Sequence, residues 1–386
     1  MDRQKLKKNI KGYGISLLIT ALLIELLCMV MVESGYIEAR VPTYTFPMGK
    51  RTIYVDNNEN WGVWRMPNDS MSFVRRCFDV MLYSNSYGAL DKEHPRQSPQ
   101  KRVVVLGDSF VEGYGVAYEN RFSTLLSDTT GFPHLNFGTS GNFGPTQYYL
   151  LYKHLASDFD HGEVLIFFLP SNDFQDDYPD PVRYNPYWEG NYPDYTLRYS
   201  MEDINESKWS ADNINTQHGI GSYVRNFSYS ANVIDYISSW LAFVRRAQDV
   251  TQGELKGRIR YQNFTEEEIL RVRYSLEQIK AIAGERPVRV VMIPSLQDFV
   301  AVKENGQNPL AERMQKMAGE VGFRFFDLLP AFNEEHADRL GSLFHTCDGH
   351  WSPYGHQVVT DLLYKEFYQY PDTVNYGNAQ GPVSLP

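Results

Sequence analysis

Val103-Val104-Val105-Leu106-Gly107-Asp108-Ser109-Phe110 is the stretch that decides the fold of this chain. A short β-branched run, then Gly, a polar pair and Glu112-Gly113-Tyr114-Gly115, reads as a buried strand emptying into a tight turn. The turn leaves the Ser109 hydroxyl at the carboxyl end of a strand. Ligands bind at that edge in open α/β sheets.

Outward from this stretch, strands and helices alternate. Strands are expected at 102–106, 134–138, 163–169, 288–293 and 323–327. Apart from the second, they are nearly continuous apolar runs, as in a parallel sheet covered on both faces. Thr265-Glu266-Glu267-Glu268 is a capping box, followed at helical spacing by Ile269, Val272, Leu276, Ile279 and Ala283. Ser352-Pro353 starts a last helix with Val358, Val359, Leu362, Leu363 and Phe367 on its apolar face. Pro145 opens a helix running to about Ser157. The alternation predicts right-handed crossovers and a doubly wound α/β sheet.

Two regions depart from the pattern. Residues 34–100 carry short strand-like pieces and many polar breaks, and read as an irregular lead-in packed on the main domain. Residues 174–262 are rich in Tyr, Pro, Asn and Asp, with a helix expected around 230–248. A connection of that length between core strands reads as a cap or substrate-recognition insertion. The expected organisation is a basic flank at 1–11, an apolar span at 12–33, the lead-in, a catalytic domain at 101–370 interrupted by the insertion, and a tail at 371–386.

The 386 residues suffice for one large domain with insertions, and 42% hydrophobic with 22% charged residues is an ordinary globular composition. A net charge of −10 excludes the broad basic face that a nucleic-acid binder needs. The 27 Tyr lie largely in loop-like stretches, which suits either a wet glycan groove or ordinary loop packing. No Cys/His cluster has metal-site spacing. Whether Cys77 and Cys347 are bridged stays open at this level.

Arg3, Lys5, Lys7, Lys8 and Lys11 precede an almost wholly apolar run from Gly12 to Val32. About 20 such residues cross a bilayer. The basic flank stays cytoplasmic, which puts the rest of the chain on the outer side as a single-pass membrane protein. A cleaved signal peptide is the competing reading, but the run exceeds an ordinary h-region and no A-x-A site follows it. Glu25 inside the span either pairs with another membrane helix or reaches water near the outer interface.

Four pieces at strand ends or helix starts can carry chemistry: Ser109, the turn Asn136-Phe137-Gly138-Thr139-Ser140-Gly141-Asn142, Ser171-Asn172-Asp173, and Asp348-Gly349-His350-Trp351. A serine hydroxyl needs a base within hydrogen-bond reach and donors aimed at the developing oxyanion. His350 is the candidate base and Asp348 the acid that orients it. The Ser109 and Gly141 N–H groups with the Asn172 amide would form the oxyanion hole. Rival bases are His356, inside the last helix, and His345. The acidic cluster Asp173, Asp176, Asp177 and Asp180 lacks the Gly and terminal Glu of a calcium loop and reads as a solvated loop.

On these residues the chain resembles the SGNH, or GDSL-type, hydrolases. Gly107-Asp108-Ser109 matches the first block, Gly141 the second, Asn172 the third, and Asp348 with His350 the fourth; Asn85-Ser86-Tyr87-Gly88 is similar to a segment ahead of the Ser block in bacterial members. The resemblance implies a flavodoxin-like three-layer α/β/α fold with a central parallel five-stranded sheet, a Ser–His–Asp mechanism, and no metal or organic cofactor. Two departures stand out. Pro170 replaces the Gly of the third block, and Asp348-Gly349-His350 is shorter than the common D-x-x-H. The shorter form, followed by Trp351, resembles extracytoplasmic polysaccharide O-acetyltransferases. The expectation is therefore a serine esterase or O-acyltransferase acting on acyl, chiefly O-acetyl, esters of an envelope or exported polysaccharide. A transferase would draw its acyl donor from a polytopic membrane partner, and Glu25 would be part of that contact. The alternative is a non-catalytic glycan-binding or scaffolding subunit.

Overall fold

The computed structural model describes residues 3–37, 39–44, 53–75, 77–214, 220–238, 241, 259–336, 339–345 and 347–369. The chain begins with α1 (Arg3–Glu33), whose Gly12–Glu33 stretch is long and apolar enough to cross a membrane by length and composition. The lead-in is more regular than its polar breaks suggest. It forms two antiparallel hairpins, β1 (Val55–Asn58) with β2 (Gly62–Trp64), and β3 (Ser70–Val74) with β4 (Asp79–Tyr83).

The core then alternates: β5 (Val103–Leu106), α2 (Ser109–Glu112), α3 (Phe122–Thr130), β6 (His134–Asn136), α4 (Pro145–His154), β7 (Glu163–Phe168) and α5 (Pro170–Asp176). The insertion adds a hairpin of β8 (Pro186–Glu189) and β9 (Thr196–Tyr199), then α6 (Ala211–Ile214), α7 (Ile220–Phe227) and a helix α8 over 229–238. Residues 239–240 and 242–248 of the helix expected to reach 248, and the tail after 369, lie outside the described residues. The core resumes with α9 (Glu266–Ala283), β10 (Val288–Met292), α10 (Leu296–Asn305), α11 (Pro309–Val321), β11 (Arg324–Asp327), α12 (Leu328–His336) and α13 (Pro353–Phe367).

All five core strands are parallel, in the order β11-β10-β7-β5-β6. This is the flavodoxin-like order, and its switch point falls between β5 and β7, where successive connections leave in opposite directions. Side chains of β5 are 0% exposed, so both faces of the strand are covered. Each such aliphatic side chain contributes about 1.5–3 kcal/mol on burial. Helix α9 begins at the expected box, with Thr265 Oγ1 accepting from Glu268 N–H at 3.2 Å and Glu268 accepting from Thr265 N–H at 2.7 Å.

The insertion is packed rather than loose over its first half. Arg183 forms a buried 2.7 Å ion pair with Asp56 of β1, and Trp188 Nε1 donates to Ser275 Oγ of α9 at 2.9 Å.

Candidate active site

Ser109 is the first residue of α2, immediately beyond β5 and beside the switch point. The turn is set locally. Asp108 caps α2 by accepting Phe110 N–H at 2.9 Å. Gly107 and Gly138 are required by close approach, since a Cβ on Gly107 would sit 2.3 Å from Val111 and one on Gly138 2.2 Å from the Glu112 nitrogen.

The loop between α12 and α13 brings His350 to Ser109, with Nε2 and Oγ 2.7 Å apart. The other ring nitrogen, Nδ1, donates to Asp348 Oδ1. A carboxylate can only accept, so Nδ1 carries the proton and Nε2 faces the serine as an acceptor. Burial alone would raise the Asp348 carboxyl, but its bonds to His350, and the charge that ring gains on protonation, outweigh that and hold it below its ordinary value. The short Asp348-Gly349-His350 spacing works because Asp348 Oδ1 also takes the Gly349 N–H at 3.0 Å, folding the three residues into one turn.

Several supports for this loop were not legible in the sequence. Tyr114 stacks on the His350 ring with centroids 4.2 Å apart, and Phe110 lies 4.9 Å from it. Trp351 is fully buried beneath, 5.0 Å from Phe110. Cys77 and Cys347 are bridged, which ties the loop to the β3–β4 hairpin one residue before Asp348. Tyr114 and Phe110 follow Ser109 closely in the chain, and that proximity was the available signal.

The rival bases are placed elsewhere. His356 is buried and its Nδ1 accepts Phe122 N–H at 3.2 Å; burial, then the Arg121 charge, push it down to about 3. His345 packs 5.0 Å from the Phe78 ring and is lowered by burial. Neither is bonded to Ser109 among the described residues.

Gly141 and Asn172 follow β6 and β7, the strands on either side of β5. Gly141 has φ +105°, a conformation that favours glycine, and Asn172 is exposed in the first turn of α5. Among the described residues neither is hydrogen-bonded to Ser109, His350 or Asp348. Pro170 is harmless as the first residue of α5, where an N–H has no helical partner.

The expectation of a solvated acidic loop is corrected for two of its members. Asp173 and Asp177 are buried. Asp173 accepts Leu169 N–H and Tyr148 O–H at 2.9 Å each, and Asp177 accepts Thr146 N–H at 2.9 Å. Both meet unpartnered N–H groups at helix starts, which is why the carboxylates turn inward. Asp180 does stay near the surface, bonded to Asn142.

Beneath the site, Arg65 from the lead-in is fully buried. It pairs with Glu112 at 3.1 Å and donates to Gly138 O at 3.1 Å and to Gly88 O at 2.9 Å. Glu112 in turn accepts from Ser140 Oγ. The lead-in therefore braces both α2 and the turn that carries Gly141. Among the described residues no group of His, Cys, Asp and Glu could hold a metal ion.

No curated protein matches the chain. Among solved structures it is similar to a lipolytic protein of the G-D-S-L family from Veillonella parvula DSM 2008, at 12% identity over 70% of this chain and 100% of that one, TM-score 0.35. It is also similar to a lipase/acylhydrolase from Enterococcus faecalis, at 14% over 69% and 95%, TM-score 0.35. A third is phospholipase A1 from Streptomyces albidoflavus NA297, at 14% over 69% and 99%, TM-score 0.37. The sequence model of one family matches residues 105–358, from within β5, ahead of Ser109, into α13, beyond His350. That span is most of the chain, which is therefore an ester hydrolase of the GDSL-like lipase/acylhydrolase family.

Proposed function

We propose that this protein is an extracytoplasmic serine esterase or O-acyltransferase acting on acyl, chiefly O-acetyl, esters of a cell-envelope or exported polysaccharide. The observation that carries the reading is the hydrogen-bonded chain from Ser109 Oγ through His350 to Asp348. Ser109 Oγ attacks the ester carbonyl as His350 Nε2 takes its proton. Asp348 holds the ring in the required tautomer and stabilises the imidazolium. The Ser109 and Gly141 N–H groups with the Asn172 amide receive the oxyanion. His350 then returns the proton to the leaving alcohol. Water, or a sugar hydroxyl, attacks the acyl-serine to release the acyl group.

Two features support an outer location. α1 is long and apolar enough to cross a membrane, and the basic flank ahead of it favours an orientation with the catalytic domain outside. The Cys77–Cys347 bridge suits an oxidising compartment. The polysaccharide assignment rests on the short Asp-x-His-Trp form of the last block.

The test uses the full chain in detergent with an O-acetylated polysaccharide and, separately, a generic acetyl ester plus an acceptor oligosaccharide. Ser109-dependent release or transfer of acetate is expected. Activity confined to long-chain lipid esters would overturn the glycan reading.

A further inference from the structure

Glu25 lies within the apolar span, eight residues before its end at Glu33. At ~1.5 Å per residue that is about 12 Å along the helix, within the outer half of a hydrocarbon core about 30 Å thick. Its carboxylate accepts Tyr229 N–H, Ser230 N–H at 3.1 Å and Ser228 O–H at 3.1 Å. These are the residues that start α8. The Tyr229 hydroxyl donates to Glu33 at 2.5 Å, so one tyrosine bridges both acids of α1. Cys28, Val32, Tyr229 and Val233 pack into one apolar cluster around this contact.

Beside the exposed Arg225–Asp235 pair, the outward side carries apolar stripes too. Ile234, Ile237 and Leu241 are exposed, spaced three and four residues apart. So are Ile220, Val224 and Phe227 on α7, at the same spacing. Beyond α1 these six make up half of the exposed large apolar side chains among the described residues. They gather on the segment that is bonded to the membrane helix.

We infer that α7 and α8 lie in the outer leaflet of the bilayer that α1 crosses, as a second membrane contact locked to α1 through Glu25. The helix start explains the acid. In hydrocarbon the first N–H groups of α8 have no water, and each one left unmet is costly. Glu25 meets two of them, and its carboxylate is itself hydrogen-bonded rather than stranded. The apolar stripes of α7 and α8 then face acyl chains, as in interfacial amphipathic helices. The insertion thereby acts as an in-plane anchor that fixes the catalytic domain against the membrane surface.

This inference rests on α1 being a membrane helix, and the experiment separates the two. The full chain, with Cys28→Ala and the Cys77–Cys347 bridge oxidised, is reconstituted in phosphatidylcholine vesicles. Single variants Ile234→Cys, Ile237→Cys, Ile220→Cys and Phe227→Cys are labelled with an environment-sensitive fluorophore, beside Leu18→Cys in α1 and the surface control Gln357→Cys. Doxyl-labelled phosphatidylcholine should quench the four insertion probes to an extent comparable with position 18, with blue-shifted emission, and leave position 357 unchanged. Quenching at 18 without quenching at any of the four overturns the inference and leaves α1 in the membrane. Blue-shifted insertion probes that lipid does not quench also overturn it, in favour of a protein partner or a second copy. Loss of quenching at 18 removes the membrane reading itself.

Discussion

His350 Nε2 stands 2.7 Å from Ser109 Oγ although 241 residues separate the two in the chain. The contact exists because Ser109 leaves β5 at the switch point while the loop before α13 is pinned over it from three directions. Asp348 holds the far ring nitrogen, Tyr114 covers a ring face, and the Cys77–Cys347 bridge fixes the loop from outside.

Asp348→Asn should leave the fold intact and reduce kcat, because the amide no longer enforces the Nδ1–H tautomer. In serine hydrolases that loss reaches about 10⁴-fold. Steady-state hydrolysis of a generic acetyl ester checks it. A fall under threefold would mean that Asp348 does not orient the base.

Tyr114→Ala removes the ring stacked on His350. A stacked aromatic pair is worth about 0.5–1.5 kcal/mol, so kcat should fall roughly two- to tenfold with little change in KM. An unchanged kcat would show that the loop alone positions the imidazole.

Reduction, or a Cys77→Ser, Cys347→Ser double variant, should lower stability by about 2–5 kcal/mol. Activity should fall at temperatures well below the new midpoint, since the released loop carries Asp348 and His350. Thermal unfolding and activity, each with and without reductant, read the two effects separately.

Arg65→Met strands Glu112 as a buried acid without its cation. Breaking such a pair costs about 3–5 kcal/mol. Glu112→Gln with Arg65→Met should recover part of it, and denaturant unfolding of the unaltered protein and the two variants measures the recovery.

Asp177 gives a signed pH dependence. Burial pushes its carboxyl up to about 6, against partial lowering by the Thr146 bonds and Arg271. The native state therefore binds the proton more tightly than the unfolded chain. The contribution to stability is present below the unfolded value near 4 and is lost as pH rises through about 6, amounting to about 3 kcal/mol. Asp177→Asn should flatten that part of the profile between pH 4 and 7, measured by chemical denaturation.

The five-strand sheet was legible because every core strand but β6 is a short, largely apolar run closed by Gly, Pro or a polar turn, and the helix signals at Thr265 and Ser352 are explicit. Ser109, Asp348 and His350 were legible for the same reason: each sits beside such a boundary. The bracing of the site was not. Arg65 and Glu112 lie 47 residues apart, and nothing local marks either as buried. Asp173 and Asp177 looked like surface acids because composition cannot show that helix starts point at them. Glu25 was visible as an anomaly in an apolar run, but its partner is 204 residues away in the insertion.

In this active site Ser109 is a nucleophile activated by His350. Labelling with a fluorophosphonate probe, followed by peptide mapping, tests it most directly. A single adduct is expected on Ser109, lost in Ser109→Ala and slowed strongly in His350→Ala. Folded protein that takes up no label at Ser109, or labels equally fast without His350, would contradict it.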